Sequence, residues 1–174
     1  MEKSRLCRQR NDQSDRKLNM GLEIERKFLV DHAQWSRLEK PAGTHYRQGY
    51  LLADPGRTIR VRISDKDAYI NLKSKNSQVS RDEYEYEIPL QDGKDILKAF
   101  AKNGTEKTRY VMPFAGKHWE VDVFMADNEG LIVAEIELNS ENETFEKPGW
   151  VTEEVTDDGR YTNAALAKNP FKYW

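Results

Sequence analysis

Apolar and charged residues alternate along most of this chain. The segment 22–28 reads LEIERKF, and in an extended strand this order places Glu23, Glu25 and Lys27 on one face and apolar residues on the other. Similar segments, separated by turn residues, predict eight strands near 22–30, 45–52, 58–64, 68–75, 82–90, 105–112, 118–125 and 131–139. Regularly spaced strands of this kind favour an antiparallel sheet that closes into a barrel or folds into a sandwich.

Helices are predicted to be fewer and shorter than the strands. Capping residues and apolar spacing indicate four of them: one after Asp31, one after Asp92, a short one near 140–145 and one over 162–168 before Pro170. The sequence therefore predicts a mainly β protein of the α+β class, with helices beside the sheet.

The two faces of the predicted strands differ in chemistry. One face resembles an ordinary core and collects Ile24, Phe28, Ile59, Val61, Ile63, Ile70, Leu72, Tyr84, Tyr86, Val121, Val123, Ile132, Ala134, Ile136 and Leu138. The other collects Glu23, Glu25, Lys27, Arg60, Arg62, Lys73, Lys75, Glu83, Glu85, Glu87, Lys107, Arg109, Glu120, Asp122, Glu135 and Glu137. A charged face of an antiparallel sheet ordinarily meets water, so solvent exposure is the first interpretation.

The order of positive and negative charges on this face argues against its exposure to solvent. Solvated faces usually interleave opposite charges, because like charges side by side are destabilising. Here carboxylates repeat at every second residue, as in Glu135 and Glu137, and cations do the same, as in Arg60 and Arg62. Carboxylate groups suit divalent metal ions, and guanidinium and ammonium groups suit phosphate oxygens. A closed sheet with both in its lumen would accommodate a metal-chelated polyphosphate.

Composition limits the partners, the cellular compartment and the domain organisation that we expect. The 174 residues carry 28 basic and 30 acidic side chains, a net charge of −2, which gives no reason to expect nucleic-acid binding. The single cysteine, Cys7, excludes an internal disulfide and fits a reducing cytoplasm, and no apolar run approaches a membrane span. Residues 1–19 have a net charge of +3 and almost no apolar residues, which predicts a basic, disordered tail before a single domain over 20–174.

These charged segments, taken in order, resemble the CYTH superfamily, also called triphosphate tunnel metalloenzymes. The likeness extends over 21–174 and rests on the E-x-E-x-K run, the later charged strands and the stretches EIERKFLV, RQGYL, EKTRY, VDVF and TEEVT. It is strongest to the short bacterial branch of the family. The resemblance implies an eight-stranded antiparallel closed barrel with a charged lumen, so that the charged face points inward, and with helices outside.

The resemblance also assigns roles to residues. It implies metal ligands at Glu23, Glu25, Asp122, Glu135 and Glu137, and triphosphate-binding cations at Lys27, Arg60, Arg62, Lys73, Lys107 and Arg109. Glu83 and Glu85 correspond to an acidic pair that holds a second metal ion or positions the attacking water, and Lys107 is a further catalytic candidate. Because hard oxygen ligands suit Mg²⁺ or Mn²⁺, two such ions are the expected cofactors. If the carboxylates converge, their repulsion should raise the pKa of at least one of them.

The implied function is metal-dependent hydrolysis of inorganic tripolyphosphate to pyrophosphate and phosphate. The sequence leaves open a class IV adenylate cyclase and a triphosphatase acting on thiamine triphosphate or nucleotides, because the same lumen could hold those triphosphates. A non-catalytic polyphosphate-binding module is a further alternative, although the carboxylates would repel an anion that is merely bound. We expect a triphosphate as the only class of partner besides a homodimer, with no nucleic acid and no membrane.

Overall fold

The computed structural model describes residues 21–75 and 80–174, and the side chains of 24–74 and 82–174. Its nine strands are β1 (Gly21–Val30), β2 (Thr44–Asp54), β3 (Arg57–Ile63), β4 (Ala68–Lys75), β5 (Ser80–Ile88), β6 (Gly104–Phe114), β7 (Lys117–Phe124), β8 (Ile132–Glu137) and β9 (Val151–Glu154). Its α-helices are α1 (His32–Arg37), α2 (Leu90–Phe100) and α3 (Asn163–Lys168). Short 3₁₀ turns occur at Ala126–Asn128, Gly159–Tyr161 and Phe171–Tyr173. The predicted tail at 1–19 lies outside the described residues.

Eight antiparallel strands form a closed ring. The order around it is β1, β5, β4, β3, β2, β6, β7 and β8, and β8 pairs again with β1. Strand β1 closes the ring by dividing its length: its first residues pair with β5, where Gly21 lies opposite Glu83, and from Glu25 onward it pairs with β8. The short β9 joins β1 outside the ring. The predicted eight-stranded antiparallel barrel is therefore confirmed.

The apolar faces of the strands point outward, where three separate clusters cover them. The largest contains Phe28 and three tryptophans. Phe28 lies on β1, Trp35 on α1 and Trp119 on β7, and Trp150 directly precedes β9. Their rings meet edge to face, with centroids 5.6 Å apart for Phe28 and Trp119 and 5.8 Å apart for Trp35 and Trp150. Edge-to-face packing of large rings stabilises beyond the area that it buries. The barrel thus has its apolar core outside and leaves its lumen to polar residues.

The two smaller clusters seat the other helices. Val61, Ile63 and Ala68 lie under α2, and a cluster around Leu166 anchors α3 beside β6. Helix α2 comes close to the sheet because Gly93 has no side chain; a Cβ there would lie 2.6 Å from that of Ala68. Each helix therefore covers a particular part of the outer surface.

Local signals explain where several elements begin and end. Asp31 accepts a hydrogen bond from the backbone N–H of Gln34 at 2.9 Å and caps α1, and Thr162 caps α3 in the same way through Ala165. The β6–β7 hairpin turns through Ala115 and Gly116 at φ of 47° and 75°. Positive φ at both central residues matches the twist of a two-residue hairpin.

The structure corrects four of the predictions. No helix forms near 140–145, because the Glu143 carboxylate accepts hydrogen bonds from Asn139 and holds Lys117, which turns the chain. Helix α2 begins at Leu90 rather than after Asp92, since Pro89 has no N–H to extend β5. Strand β9 was not predicted.

Tyr84 and Tyr86 form the fourth correction, because they were predicted to belong to the core. Their side chains are 39% and 45% exposed, since α2 packs on β3 and β4 and leaves this part of β5 uncovered. Among the described helices, none is long and apolar enough to cross a bilayer.

Candidate active site

A cavity of about 730 Å³ occupies the barrel lumen. Ten of the thirteen predicted site residues line it: Glu25, Lys27, Arg60, Arg62, Lys73, Glu83, Glu85, Arg109, Glu135 and Glu137. They reach it from β1, β3, β4, β5, β6 and β8, because every second residue of each strand faces inward. Lys107 and Asp122 lie behind the cavity wall, and the side chain of Glu23 lies outside the described residues. Most of the predicted charged face thus lines a lumen.

Lys27 lies between two carboxylates in this lumen. Its ammonium nitrogen is 2.8 Å from Glu25 Oε1 and 2.5 Å from Glu135 Oε1. Burial alone would lower the pKa of Lys27, but the attraction of Glu135 and Glu25 outweighs it and holds that pKa above its usual range. Lys27 therefore stays charged and bridges the two carboxylates.

Arg109 on β6 links its own strand to β7 and β8. Its Nε donates to Asp122 Oδ1 at 2.6 Å, and its Nη2 donates to Asp122 Oδ2 at 2.6 Å and to Glu135 Oε2 at 2.9 Å. A further bond runs from Nη1 to Glu120. Burial would raise the pKa of Glu135, but Lys27 and Arg109 hold it well below its usual range. This shift is opposite to the rise expected from repulsion among the carboxylates.

Lys107 is more deeply placed than the sequence suggested. Its side chain is 2% exposed, forms an ion pair with Asp122, and donates to Asn163 Oδ1 at 3.2 Å. Burial lowers the pKa of Lys107 to about 8, although Asp122 opposes the shift. Both oxygens of Asp122 are engaged, by Lys107 and Arg109. We call Lys27, Lys107, Arg109, Asp122 and Glu135 the buried wall.

The opposite side of the lumen consists of Arg60, Arg62, Lys73, Glu83 and Glu85, which we call the open wall. Arg62 Nη2 lies 2.9 Å from Glu85 Oε2, and Lys73 Nζ lies 3.0 Å from Glu83 Oε2. These residues come from three adjacent strands, and Lys73 is directly opposite Glu83 in the register. The Glu85 side chain is 32% exposed, so this wall is accessible to a ligand.

Two neutral polar residues complete the open wall, and neither was predicted from the sequence. Gln48 Oε1 accepts a hydrogen bond from Arg60 at 3.2 Å. Asn71 is fully buried, and its amide nitrogen donates to Glu83 at 3.0 Å and also to Glu85. The pattern of charged residues along the chain does not indicate such neutral groups.

Tyr50 and Asn163 also line the cavity and were also missed. Tyr50 is buried, and burial raises the pKa of its hydroxyl. It lies in the stretch RQGYL, which the family resemblance had already marked. Asn163 begins α3, which closes one side of the cavity, and no signal in the sequence indicated it.

The carboxylates provide the oxygen donors that Mg²⁺ or Mn²⁺ requires. Glu25, Glu120, Glu135 and Glu137 line the main cavity and also a smaller one of about 390 Å³ beside Lys117 and His118, which offers an approach for an ion. Among the described side chains, no three carboxylates or histidines are grouped around one point, since Lys27 lies between Glu25 and Glu135. The oxygen donors themselves are of the type that a divalent ion prefers.

Comparison with known proteins agrees with this architecture. The model of the CYTH domain family matches residues 21–164. A protein of Acetivibrio thermocellus named inorganic triphosphatase is 46% identical over 154 residues, which cover 88% of this chain and 97% of the relative. An inorganic triphosphatase of Nitrosomonas europaea is 37% identical and covers 83% of this chain and 96% of its own length.

A solved structure extends the comparison to three dimensions. The crystal structure of the inorganic triphosphatase NE1496 superimposes with a TM-score of 0.60 at 35% identity, over 83% of this chain and 93% of that one. The family match and the two curated relatives each extend over most of the chain that forms the barrel and its lumen. The chain therefore belongs to the CYTH domain family.

Proposed function

We propose that this protein hydrolyses inorganic tripolyphosphate to pyrophosphate and orthophosphate in its lumen. The observation that carries the proposal is the convergence of Lys27, Arg60, Arg62, Lys73 and Arg109 on one cavity. Cationic side chains from separate strands can contact several phosphates of one chain at the same time. Two relatives that are similar over most of this chain bear the name inorganic triphosphatase, which supports the same substrate.

The carboxylates make a metal ion necessary to this proposal. A bare triphosphate would be repelled by Glu25, Glu135 and Glu137, which line the same cavity. We therefore expect Mg²⁺ or Mn²⁺, in two sites, to be held by these three residues and by Glu23. When bound, such ions would neutralise phosphate oxygens and make the phosphorus more open to attack.

Asp122 fits a different role from the metal ligand that the resemblance implied. Its carboxylate is fully buried, and Lys107 and Arg109 engage both of its oxygens. A carboxylate held in this way fixes the direction of Arg109 toward the lumen. We expect Asp122 to orient Arg109, and Lys107 to act through Asp122 without touching the substrate.

In the reaction, a water would attack a terminal phosphorus opposite the bridging oxygen. The new P–O bond forms to the water, the bridging P–O bond breaks, and pyrophosphate leaves. We assign to Glu83 and Glu85 the orientation of this water and the acceptance of its proton; both line the cavity and accept hydrogen bonds from Asn71, which supports this assignment. Arg60, Arg62 and Arg109 would stabilise the charge that develops on the oxygens.

The lumen favours an inorganic chain over a nucleotide. Among the described residues that line the cavity, Tyr50 is the single aromatic one, and it is buried in the wall. Recognition of a base commonly uses an exposed aromatic face, which those residues do not provide. A class IV adenylate cyclase and a thiamine or nucleoside triphosphatase are therefore second candidates. A polyphosphate-binding module without turnover is a third.

A product assay distinguishes these candidates. Tripolyphosphate, ATP and thiamine triphosphate are each incubated with the protein under Mg²⁺ and under Mn²⁺, and the products are separated by anion-exchange chromatography. We expect tripolyphosphate to be cleaved fastest, with little cyclic AMP from ATP. Cyclic AMP as the main product, with tripolyphosphate intact, would establish a cyclase. Tight binding without turnover would establish the binding module.

Glu135→Gln tests the proposed metal site. The substitution keeps the shape of the side chain and removes one charge, so we expect loss of activity and of most of the rise in melting temperature produced by Mn²⁺ with tripolyphosphate. A bound ligand at a hundredfold excess over its Kd stabilises by about 2.7 kcal/mol, so the rise in the parent is measurable. A variant with parental activity and a parental rise would exclude Glu135 as a ligand.

A further inference from the structure

The guanidinium of Arg62 lies close to two aromatic rings. Its guanidinium carbon lies 5.1 Å from the ring centroid of Tyr46 and 5.7 Å from that of Tyr69. Two rings therefore approach the guanidinium of one lumen cation.

The strand register explains how the two rings reach one guanidinium. Tyr69 on β4 lies directly opposite Arg62 on β3. On the other side, Arg62 pairs with Gln48 of β2, and Tyr46 is two residues from Gln48 and so has the same orientation. The rings come from the two strands that flank β3 and lie on the same face of the sheet as Arg62, beside the residues that line the cavity.

The hydrogen bonds of Arg62 leave part of its donor capacity available. Within the described part of the chain, Nη2 donates to Glu85 Oε2 at 2.9 Å, and the buried Nε has no hydrogen-bond partner. A guanidinium carries five N–H donors in one plane. The rings and Glu85 thus fix the direction of that plane without using all of its donors, and Arg62 lines the cavity.

We propose that Tyr46 and Tyr69 are positioning residues, whose rings hold the Arg62 guanidinium ready for a phosphate oxygen of the triphosphate. The inference rests on the proposed function, because it takes Arg62 to be a ligand of that substrate. Fixing the side chain in advance lowers the entropy that substrate binding must overcome. An attraction between cation and ring that is shielded from water also keeps the group in place.

The test compares Tyr69→Leu with Tyr69→Phe. Leucine removes the ring face, and we expect KM for tripolyphosphate to rise about tenfold, which corresponds to about 1.4 kcal/mol. Phenylalanine keeps the face and should leave KM within about twofold of the parent. Tyr46→Leu should act in the same direction as Tyr69→Leu. The matched control is Tyr86→Leu on the outer surface of β5, where no change in KM is expected.

A double-mutant cycle separates positioning from a general structural effect. In the Arg62→Lys background, Tyr69→Leu should cost less than about twofold, because the planar group that the ring holds is gone. Calorimetric titration with tripolyphosphate gives the same comparison as Kd, and thermal melting shows whether each variant is folded.

Different results would contradict the proposed function and the positioning role of the two tyrosines. A parent that neither binds nor cleaves tripolyphosphate contradicts the proposed function, and the inference falls with it. With an active parent, the inference alone is overturned by unchanged KM and Kd in Tyr69→Leu, by an equal loss in Tyr69→Phe, or by full additivity with Arg62→Lys.

Discussion

The two walls of the lumen hold similar charges in different ways. On the buried wall, Lys107 and Asp122 are almost without solvent contact, and Arg109 joins Asp122 to Glu135 through three hydrogen bonds. On the open wall, Arg62 and Glu85 form an ion pair with residual exposure of 17% and 32%. Breaking a buried pair leaves a charge that water cannot reach, whereas a partly exposed pair loses little. The buried wall should therefore support the fold, and the open wall the ligand.

Asp122→Asn, on the buried wall, is expected to have the largest effect, which is a loss of stability. Without its carboxylate, Lys107 and Arg109 lose their shared counter-charge in a buried place, so we expect a loss of about 3–5 kcal/mol in the free energy of unfolding. Urea denaturation measures it. The control is Glu85→Ala on the open wall, for which we expect a loss below about 1 kcal/mol. Equal losses in the two variants would remove the distinction between the walls.

Arg60→Ala tests whether the open wall contributes to catalytic activity. Losing a charge-assisted contact to a developing oxyanion commonly costs about 2.7–4 kcal/mol, so kcat/KM for tripolyphosphate should fall by at least about 10². The melting temperature should stay close to that of the parent. Parental kinetics would mean that Arg60 contacts no substrate, and a variant that fails to fold would place Arg60 with the buried wall.

The lowered pKa of Lys107 predicts a pH dependence of stability. The folded protein releases this proton above about pH 8, whereas the unfolded chain keeps it up to about pH 10. Between these values the unfolded state binds more protons, so the free energy of unfolding should increase with pH, by about 1–2 kcal/mol from pH 8 to 9.5. The increase should be absent in Lys107→Met. Urea denaturation in EDTA at several pH values measures both proteins, and parallel curves would contradict the assignment.

The smallest effect is expected at the N-terminus. The family match begins at residue 21, and residues 1–19 carry no charged strand motif. Their deletion should leave kcat/KM for tripolyphosphate within about twofold of the parent. A loss of tenfold or more in steady-state assays would show that the basic segment contributes to the lumen or to the approach of the anionic substrate.

The alternation of residues was sufficient to predict which side chains share a face. Glu25, Lys27 and Glu135 were assigned to one face from the sequence, and they do meet in the lumen. The direction of that face was not accessible in this way, because alternation is the same for a solvated face and a lined lumen. The order of the charged motifs revealed the family resemblance, and that resemblance implied that the charged face points into the lumen.

The pairing of charges could not be predicted from sequence. Lys27 is 108 residues from Glu135, and the contact depends on the ring closure that places β1 beside β8. The prediction that Tyr84 belongs to the core failed for a similar reason: its spacing is typical of a core residue, but none of the described helices covers it. Neutral groups such as Asn71 and Asn163 were missed because their role comes from burial beside charges.

The most direct test of the central claim, that the lumen hydrolyses tripolyphosphate, follows the reaction by ³¹P NMR in H₂¹⁸O with Mg²⁺ or Mn²⁺. Attack of water on a terminal phosphorus predicts equal amounts of orthophosphate and pyrophosphate, with ¹⁸O appearing in the orthophosphate. Label in the pyrophosphate would contradict terminal attack. Tripolyphosphate that stays intact with both ions would contradict the assignment of the lumen as a triphosphatase site.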